Sequence, residues 1–543
     1  MADAMTDDSE GATRVRVGGR FARADLGLGA LLLAYLAVRL ALIPADVSVT
    51  SAQSHDGSYI CIVAGRLVQG LGYTNPAHWL VFLNPPSLPM PYHNANPGYP
   101  TLVAATMAAL GTDAPRAGVI VSLLSSGAIA ALLYGLVRSF GRGPGTAAVA
   151  AAAGLLLPES WTLSFRIAPD LLMTALSLAV IYVAYARPAG ALNALAAGVL
   201  FGLAWLVRST AMLLLPPLAY ALLLRDGVRR TAISVALVLA AAAVTISPWL
   251  AHNQATWGKP FRSDAGYYWL QDYHAREFGG DIGRYWRSTT TPPGLGEVVR
   301  ADPSGFAEHL ARGVPVLVYR FLAGLSGWSK PLLAALLGGL GGALWLGRRH
   351  LLSREGQAMT LLLVGTLASL LPRAGSLEAR YVLVSVVLLA AWMATMAADG
   401  AIAWREGRST RRDRVAVALL AIAGLACVAT DAANLPEELR VRPGREAARA
   451  RARAVAEATG RAPIVVHDPY FYTLDTGGVS ALEPPYTDKA GLLSYMERYG
   501  ARHLLLPEDP QAVPFLGSPP PFGPELAVRR RYGDYQLLER IDP

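Results

Sequence analysis

Apolar blocks of about twenty residues, separated by short polar stretches, fill the chain from residue 26 to residue 431. A helix rising 1.5 Å per residue needs about that length to cross roughly 30 Å of hydrocarbon. This pattern predicts eleven membrane spans, at 26–44, 116–137, 146–158, 169–186, 190–206, 209–224, 231–250, 331–347, 357–372, 381–398 and 415–431. The third, "TAAVAAAAGLLLP", is short and mostly alanine. The segment "NPGYPTLVAATMAALG" (96–111) rivals it, and counting both would reverse the side of everything downstream. Residues 97–111 are therefore expected to form a helix on the membrane surface, alongside another at about 57–71.

Two regions break the pattern. Residues 251–330 carry many aromatics and few long apolar runs, as expected of an ordered interfacial loop, with Tyr267, Tyr268, Trp269 and Trp286 as anchors or sugar platforms. Residues 432–543 return to soluble composition. There the pattern predicts a helix at 445–460, a buried strand at 462–468, a helix at 487–500 capped by Thr487 or Asp488, and strands at 502–507 and 534–541. Helices alternating with apolar strands suggest a small α/β domain. The predicted organisation is a tail at 1–25, a membrane module at 26–431 with outer loops 45–115 and 251–330, and a soluble domain from 432.

Composition supports an integral membrane protein: 53% of the 543 residues are hydrophobic and 16% charged, against about 25% charged in soluble domains. The net charge of +9 comes almost wholly from arginine. The arginines sit in clusters between apolar blocks, at 14–23, 138–142, 187, 225–230, 348–354 and 405–414, which points to membrane orientation and not to nucleic acid. All these clusters fall on one side, read as the cytoplasm of a bacterial inner membrane. The loops at 45–115 and 251–330 and the tail then lie outside. The apolar run after residue 25 is long for a signal peptide and reads as an uncleaved anchor, although small residues near Ala45 and Ala52 leave cleavage open. Cys61 and Cys427 are far apart, so no disulfide framework is expected. His55, His78 and His93 share one loop but match no ligand spacing. They could bind a divalent ion, although nothing in the sequence supports one, and no nucleotide-binding motif occurs.

Several ionisable groups lie at the outer ends of spans. They are His55 and Asp56, Arg116, Glu159 and Arg166, Asp170, Arg208, and Arg373, Glu378 and Arg380. Charges at this depth are costly unless paired or hydrated, which makes them candidates for function. Blander roles exist for each: Asp56 as a helix cap, the arginines as snorkelling side chains, Asp170 at a helix start, and Glu378 as a partner of Arg373 or Arg380. Acids and arginines gathered on one leaflet nonetheless suit a charged substrate held in that leaflet, such as a polyprenyl phosphate.

The stretch "DGSYICIVAGRLVQGLGY" (56–73) resembles the first outer loop of the GT-C membrane glycosyltransferases, nearest to the polyprenyl-phosphate-mannose protein mannosyltransferases and the aminoarabinose transferases. Further segments resemble the family in chain order: 96–105, 115–141, 164–186, 202–217, 247–261, 378–392 and, in the tail, 495–508. The resemblance implies a GT-C-like helical membrane fold and an inverting sugar transfer from a polyprenyl-phosphate donor to a lipid, glycan or protein acceptor. It makes Asp56 the general base and Arg208, Arg373 and Arg380 the phosphate ligands. Asp170 and Glu159, with Arg116 and Glu378, are left to orient acceptor or sugar. The chain departs from the family where two adjacent acids are replaced by His55–Asp56–Gly57, and where an Arg-Asn pair is replaced by His252–Asn253. The competing classes are a transporter or lipid flippase, a ligase using diphosphate-linked glycans, and a non-catalytic scaffold.

Overall fold

A computed structural model describes residues 23–50, 53–91, 96–188, 190–261, 270–326, 330–348, 357, 360, 363–365, 367, 379–507 and 525–541. The first half is a run of helices: α1 (Arg23–Ala41), α2 (His55–Val68), α3 (Gly98–Leu110), α4 (Ala114–Ser139), α5 (Pro144–Leu155), α6 (Pro158–Leu163), α7 (Asp170–Ile181), α8 (Ala191–Val207), α9 (Leu215–Asp226) and α10 (Val228–Trp257). After these come α11 (Gln271–His274), α12 (Ile282–Arg287), α13 (Leu295–Ala301), α14 (Pro303–Ser326), α15 (Lys330–Gly347), α16 (Leu383–Arg405) and α17 (Arg411–Leu439). The last three are α18 (Arg445–Ala458), α19 (Pro469–Asp475) and α20 (Lys489–Arg498).

Among the described residues five helical stretches are long and apolar enough to cross a membrane: Ala114–Ser139, Val228–Trp257, Lys330–Gly347, Arg380–Arg405 and Arg411–Pro436. Shorter apolar helices, α5, α7 and α8 among them, complete a multi-pass membrane bundle. Its largest core runs through α4, α7, α8 and α16 and takes in Leu133, Leu171, Ala197 and Val387. The closest packing joins α8 to α10. A Cβ at Gly198 would collide with the Val238 carbonyl, and one at Gly202 with the Thr245 side chain, so glycine is what lets these backbones touch. α5 spans 12 residues, about 18 Å of helix, and is as short as its sequence predicts. The predicted span at 357–372 falls largely outside the described residues.

Two expectations are corrected. The helix expected on the membrane surface at 57–71 is α2, and it is not a surface helix: Gly57 to Ala64 are all buried, between α3, α4 and α19. A helix that is hidden all round belongs to the interior. The supposed loop at 251–330 contains α14, a helix of 24 residues. His309, Gly313 and Leu317 are buried at four-residue intervals while Glu308 and Arg312 face out. The charged face broke the apolar run and hid the helix from a search for continuous hydropathy.

The strands are β1 (Thr74–Asn75), β2 (Ala77–His78), β3 (Met90–Pro91), β4 (Ile464–Val466), β5 (Ala481–Leu482), β6 (His503–Pro507), β7 (Leu526–Tyr532) and β8 (Tyr535–Arg540). Six of them form one mixed sheet in the order β2-β5-β4-β6-β8-β7. β2 comes from the first loop, pairing in parallel with β5 through Ala77↔Ala481 and His78↔Leu482. The tail sheet is thus completed by residues that precede it by most of the chain. An isolated bridge, Thr50↔Val441, and the Arg449–Asp46 ion pair at 2.6 Å add to this attachment.

Candidate active site

Four ionisable residues from separate segments meet where helices start or break. α2 begins at Ser54, whose hydroxyl accepts from the Gly57 N–H at 3.0 Å, and this cap leaves Asp56 free to project from the first turn. Asp170 is the first residue of α7, directly after Pro169. α8 stops at Arg208, whose φ of −150° and ψ of 128° are extended, and a 3₁₀ turn (Ser209–Leu214) follows before α9. Arg380 lies in a second 3₁₀ turn, Ala379–Val382, leading into α16.

The result is an alternating chain of charge. Arg380 Nη2 donates to Asp56 Oδ2 at 2.8 Å. Arg380 Nη1 lies 4.0 Å from Asp170 Oδ2, and Arg208 Nη1 donates to Asp170 Oδ1 at 2.5 Å. Both guanidinium groups lie against the Tyr381 ring, at 4.5 Å for Arg208 and 5.3 Å for Arg380. Burial separates the two acids: the Asp170 side chain is 2% exposed and the Asp56 side chain 53%. Asp56 nonetheless has protein packed around part of its carboxyl. Burial pushes its carboxyl upward. The Arg380 guanidinium, with His55 and Arg208 further off, outweighs that push and holds it below the usual carboxylate range.

The other sequence candidates are placed differently. Arg116 is exposed at the head of α4, where its N–H donates to the Asp113 cap, and among the described residues no ion pair ties it to the cluster. Glu159 is half-buried in the first turn of α6, which packs against the turn carrying Arg380. Arg373, Glu378, His93, Tyr267, Tyr268 and Trp269 lie outside the described residues. Trp286 is buried against Trp79 and Phe82, as a packing residue. Of the loop histidines, His78 is buried in the sheet near Tyr499, while His55 lies between Trp79 and Tyr470. Among the described residues no cluster of three or more His, Cys, Asp or Glu could hold a metal.

Sequence reasoning passed over Tyr381, although it adjoins Arg380. It also missed a group contributed by the tail. Glu483 is wholly buried and accepts from Arg287 Nε at 2.9 Å, from His467 Nδ1 at 2.9 Å and from the Asp468 N–H at 3.2 Å. The bond to Glu483 raises the His467 imidazole above its ordinary value. The only signal in the sequence was "HDP" at the end of a buried strand, a turn-forming triplet.

Comparison with known proteins bears on the fold. The fold is similar to those of solved membrane transferases. It matches the Archaeoglobus fulgidus oligosaccharyltransferase, solved with a tethered acceptor peptide, at TM-score 0.59 and 13% identity over 89% of this chain and 69% of that one. It also matches ArnT from Cupriavidus metallidurans bound to undecaprenyl phosphate, at TM-score 0.57 and 13% identity over 95% of this chain and 98% of that one. Within the bundle, residues 95–252 match the model of the dolichyl-phosphate-mannose-protein mannosyltransferase family. No curated protein matches the chain by sequence.

Proposed function

We propose that this chain is an inverting glycosyltransferase that moves a sugar from a polyprenyl-phosphate donor to an acceptor on the extracytoplasmic side of a bacterial inner membrane. The observation that carries the reading is the Asp56–Arg380–Asp170–Arg208 chain, which sets one accessible carboxylate beside two guanidinium groups. A sugar on a phosphate already has a good leaving group, so the reaction needs charge neutralisation there and a base for the incoming nucleophile. The acceptor oxygen forms a bond to the anomeric carbon and passes its proton to Asp56. The bond from that carbon to the phosphate oxygen breaks, and its electron pair stays on the polyprenyl phosphate between Arg208 and Arg380. Buried Asp170 holds Arg208 in place from behind. One displacement of this kind inverts the anomeric centre. Two relatives support a lipid-phosphate donor: ArnT, bound to undecaprenyl phosphate, and the archaeal oligosaccharyltransferase AglB, in complex with an inhibitory peptide and a dolichol phosphate.

The test is sugar transfer by purified protein supplied with labelled polyprenyl-phosphate sugars and bacterial membrane extract. Asp56→Asn keeps the shape and removes the base, and transfer is expected to fall by about 10²–10⁴-fold. A rate within a factor of two of wild type would exclude Asp56 as the base.

A further inference from the structure

We propose that His55 and Asp468 form a subsite for the acceptor, and that the acceptor is a glycan presenting a polyhydroxylated ring. The proposal rests on the transferase reading above. The His55 ring is held between Trp79 and Tyr470, with ring centres 4.8 and 4.6 Å away. Its Nε2 is buried and has no hydrogen-bond partner, which is uncommon for a polar atom inside a protein. The nearest acid is Asp468, with Oδ1 at 3.9 Å. That gap is too wide for a direct hydrogen bond. It does suit one hydroxyl oxygen placed about 2.8 Å from each group, accepting from one and donating to the other.

The tail holds Asp468 in this position. Its backbone is left-handed, with φ of 59° and ψ of 60°, a region uncommon for residues with a Cβ although aspartate enters it more readily than most. The contacts that hold it are the N–H bond to buried Glu483, itself clamped by Arg287 and His467, and the start of α19 directly afterwards. The Asp468 side chain is 49% exposed, and among the described residues no donor bonds to its carboxylate. The turn thus presents a half-exposed carboxylate without a protein donor to an imidazole nitrogen without a partner, beside a half-buried Trp79.

An aromatic surface flanked by a carboxylate and an imidazole suits a sugar ring, whose C–H face packs on the aromatic while its hydroxyls bond to the polar groups. His55 and Asp56 are consecutive residues in the first turn of α2, so a ring gripped at His55 and Asp468 is held by the same turn that carries the base. A sugar ring carries several hydroxyls, one for the base and others for this second pair.

The experiment offers the full-length protein labelled polyprenyl-phosphate sugars and three acceptor pools: soluble oligosaccharides, glycolipids extracted from bacterial membranes, and a peptide rich in serine and threonine. Label is expected in a glycan pool. His55→Asn and Asp468→Asn are expected to raise the KM for that acceptor about tenfold or more, with the donor KM held within twofold, and Asp468→Glu to restore most of the acceptor affinity. Label on the peptide, an unchanged acceptor KM in both variants, or an equal rise in both KM values overturns the subsite. Asp56→Asn in the same assay separates the two readings: wild-type transfer there removes the base assignment, whereas its loss alongside unaltered acceptor KM values removes the subsite alone. If no donor is turned over, tryptophan quenching by the soluble oligosaccharides reads binding directly. Saturable quenching that disappears in Asp468→Asn supports the subsite, and no quenching in the wild type overturns it.

Discussion

Asp56 and Asp170 are the same side chain in opposite circumstances. One is half exposed, the other is buried against Arg208. Only the first is open to a substrate, so exposure divides the proposed base from its proposed support. The sign of the pH dependence follows from Arg380. With the guanidinium in place, the Asp56 carboxyl is held below its ordinary value. It is therefore ionised, and able to act as a base, throughout the neutral range. The acid limb of the rate profile is expected below the usual carboxylate pKa of about 3.9. Arg380→Gln removes the lowering charge and leaves the burial that raises the carboxyl. The acid limb should then move to higher pH, and the donor KM should rise with it. A pH–rate profile of both proteins checks this, and an unmoved acid limb would separate Arg380 from the base. Lysine at 208 or 380 should restore little, because a point charge cannot bridge two anionic partners as a planar fork does.

At the scale of the element, the site depends on interruptions. Arg208 lies where α8 gives way to a 3₁₀ turn, and Arg380 where another such turn opens α16. Continuous helices would present both arginines to lipid or to the core. The placing of α8 in turn depends on its contact with α10 at Gly198 and Gly202. Gly198→Leu is expected to force these helices apart, with a loss of stability of about 1–3 kcal/mol and lower activity as Arg208 shifts. Thermal unfolding in detergent with a donor KM measurement checks it; an unchanged melting temperature would show that the contact has slack. This scale also shows what the sequence made legible. The apolar blocks located α4, α8, α10 and α16 closely, because hydropathy reports burial in lipid directly. α14 escaped because its buried positions recur every fourth residue among charges. β2, β5 and β7 escaped because strands of two residues, or strands carrying three successive arginines, have no pattern of their own and owe their pairing to neighbours. The residues of the charge cluster were legible one at a time as misplaced ions. Their pairing was not, since nothing in local spacing brings 56, 170, 208 and 380 together.

For the whole molecule, the shared sheet is the main constraint. β2 in the first loop and β5 in the tail are hydrogen-bonded neighbours, so they occupy the same side of the membrane whichever side that is. The chain must therefore cross an even number of times between residues 78 and 481. Ten crossings after the first span, as the sequence predicts, would meet this condition. The same sheet predicts the effect of truncation. A chain ended at residue 440 keeps Asp56, Asp170, Arg208 and Arg380, yet it loses the partner of β2 and the α19 contact that buries α2. It is expected to lack transfer activity and to be cut by protease within the first loop. Activity comparable to the full chain would show that the loop holds its shape alone.

The parallel pairing of Ala77 with Ala481 also dictates an order of events during biogenesis. The ribosome finishes the first of these residues roughly 400 positions before the second, and contacts so distant in sequence form slowly. Throughout that interval the newborn segment around His78 has its hydrogen-bonding edge uncovered, and α2 lacks the cover that α19 gives it. A binding chaperone or a docking strand from another protein would find its opening then, and maturation closes it only when the last hundred residues arrive.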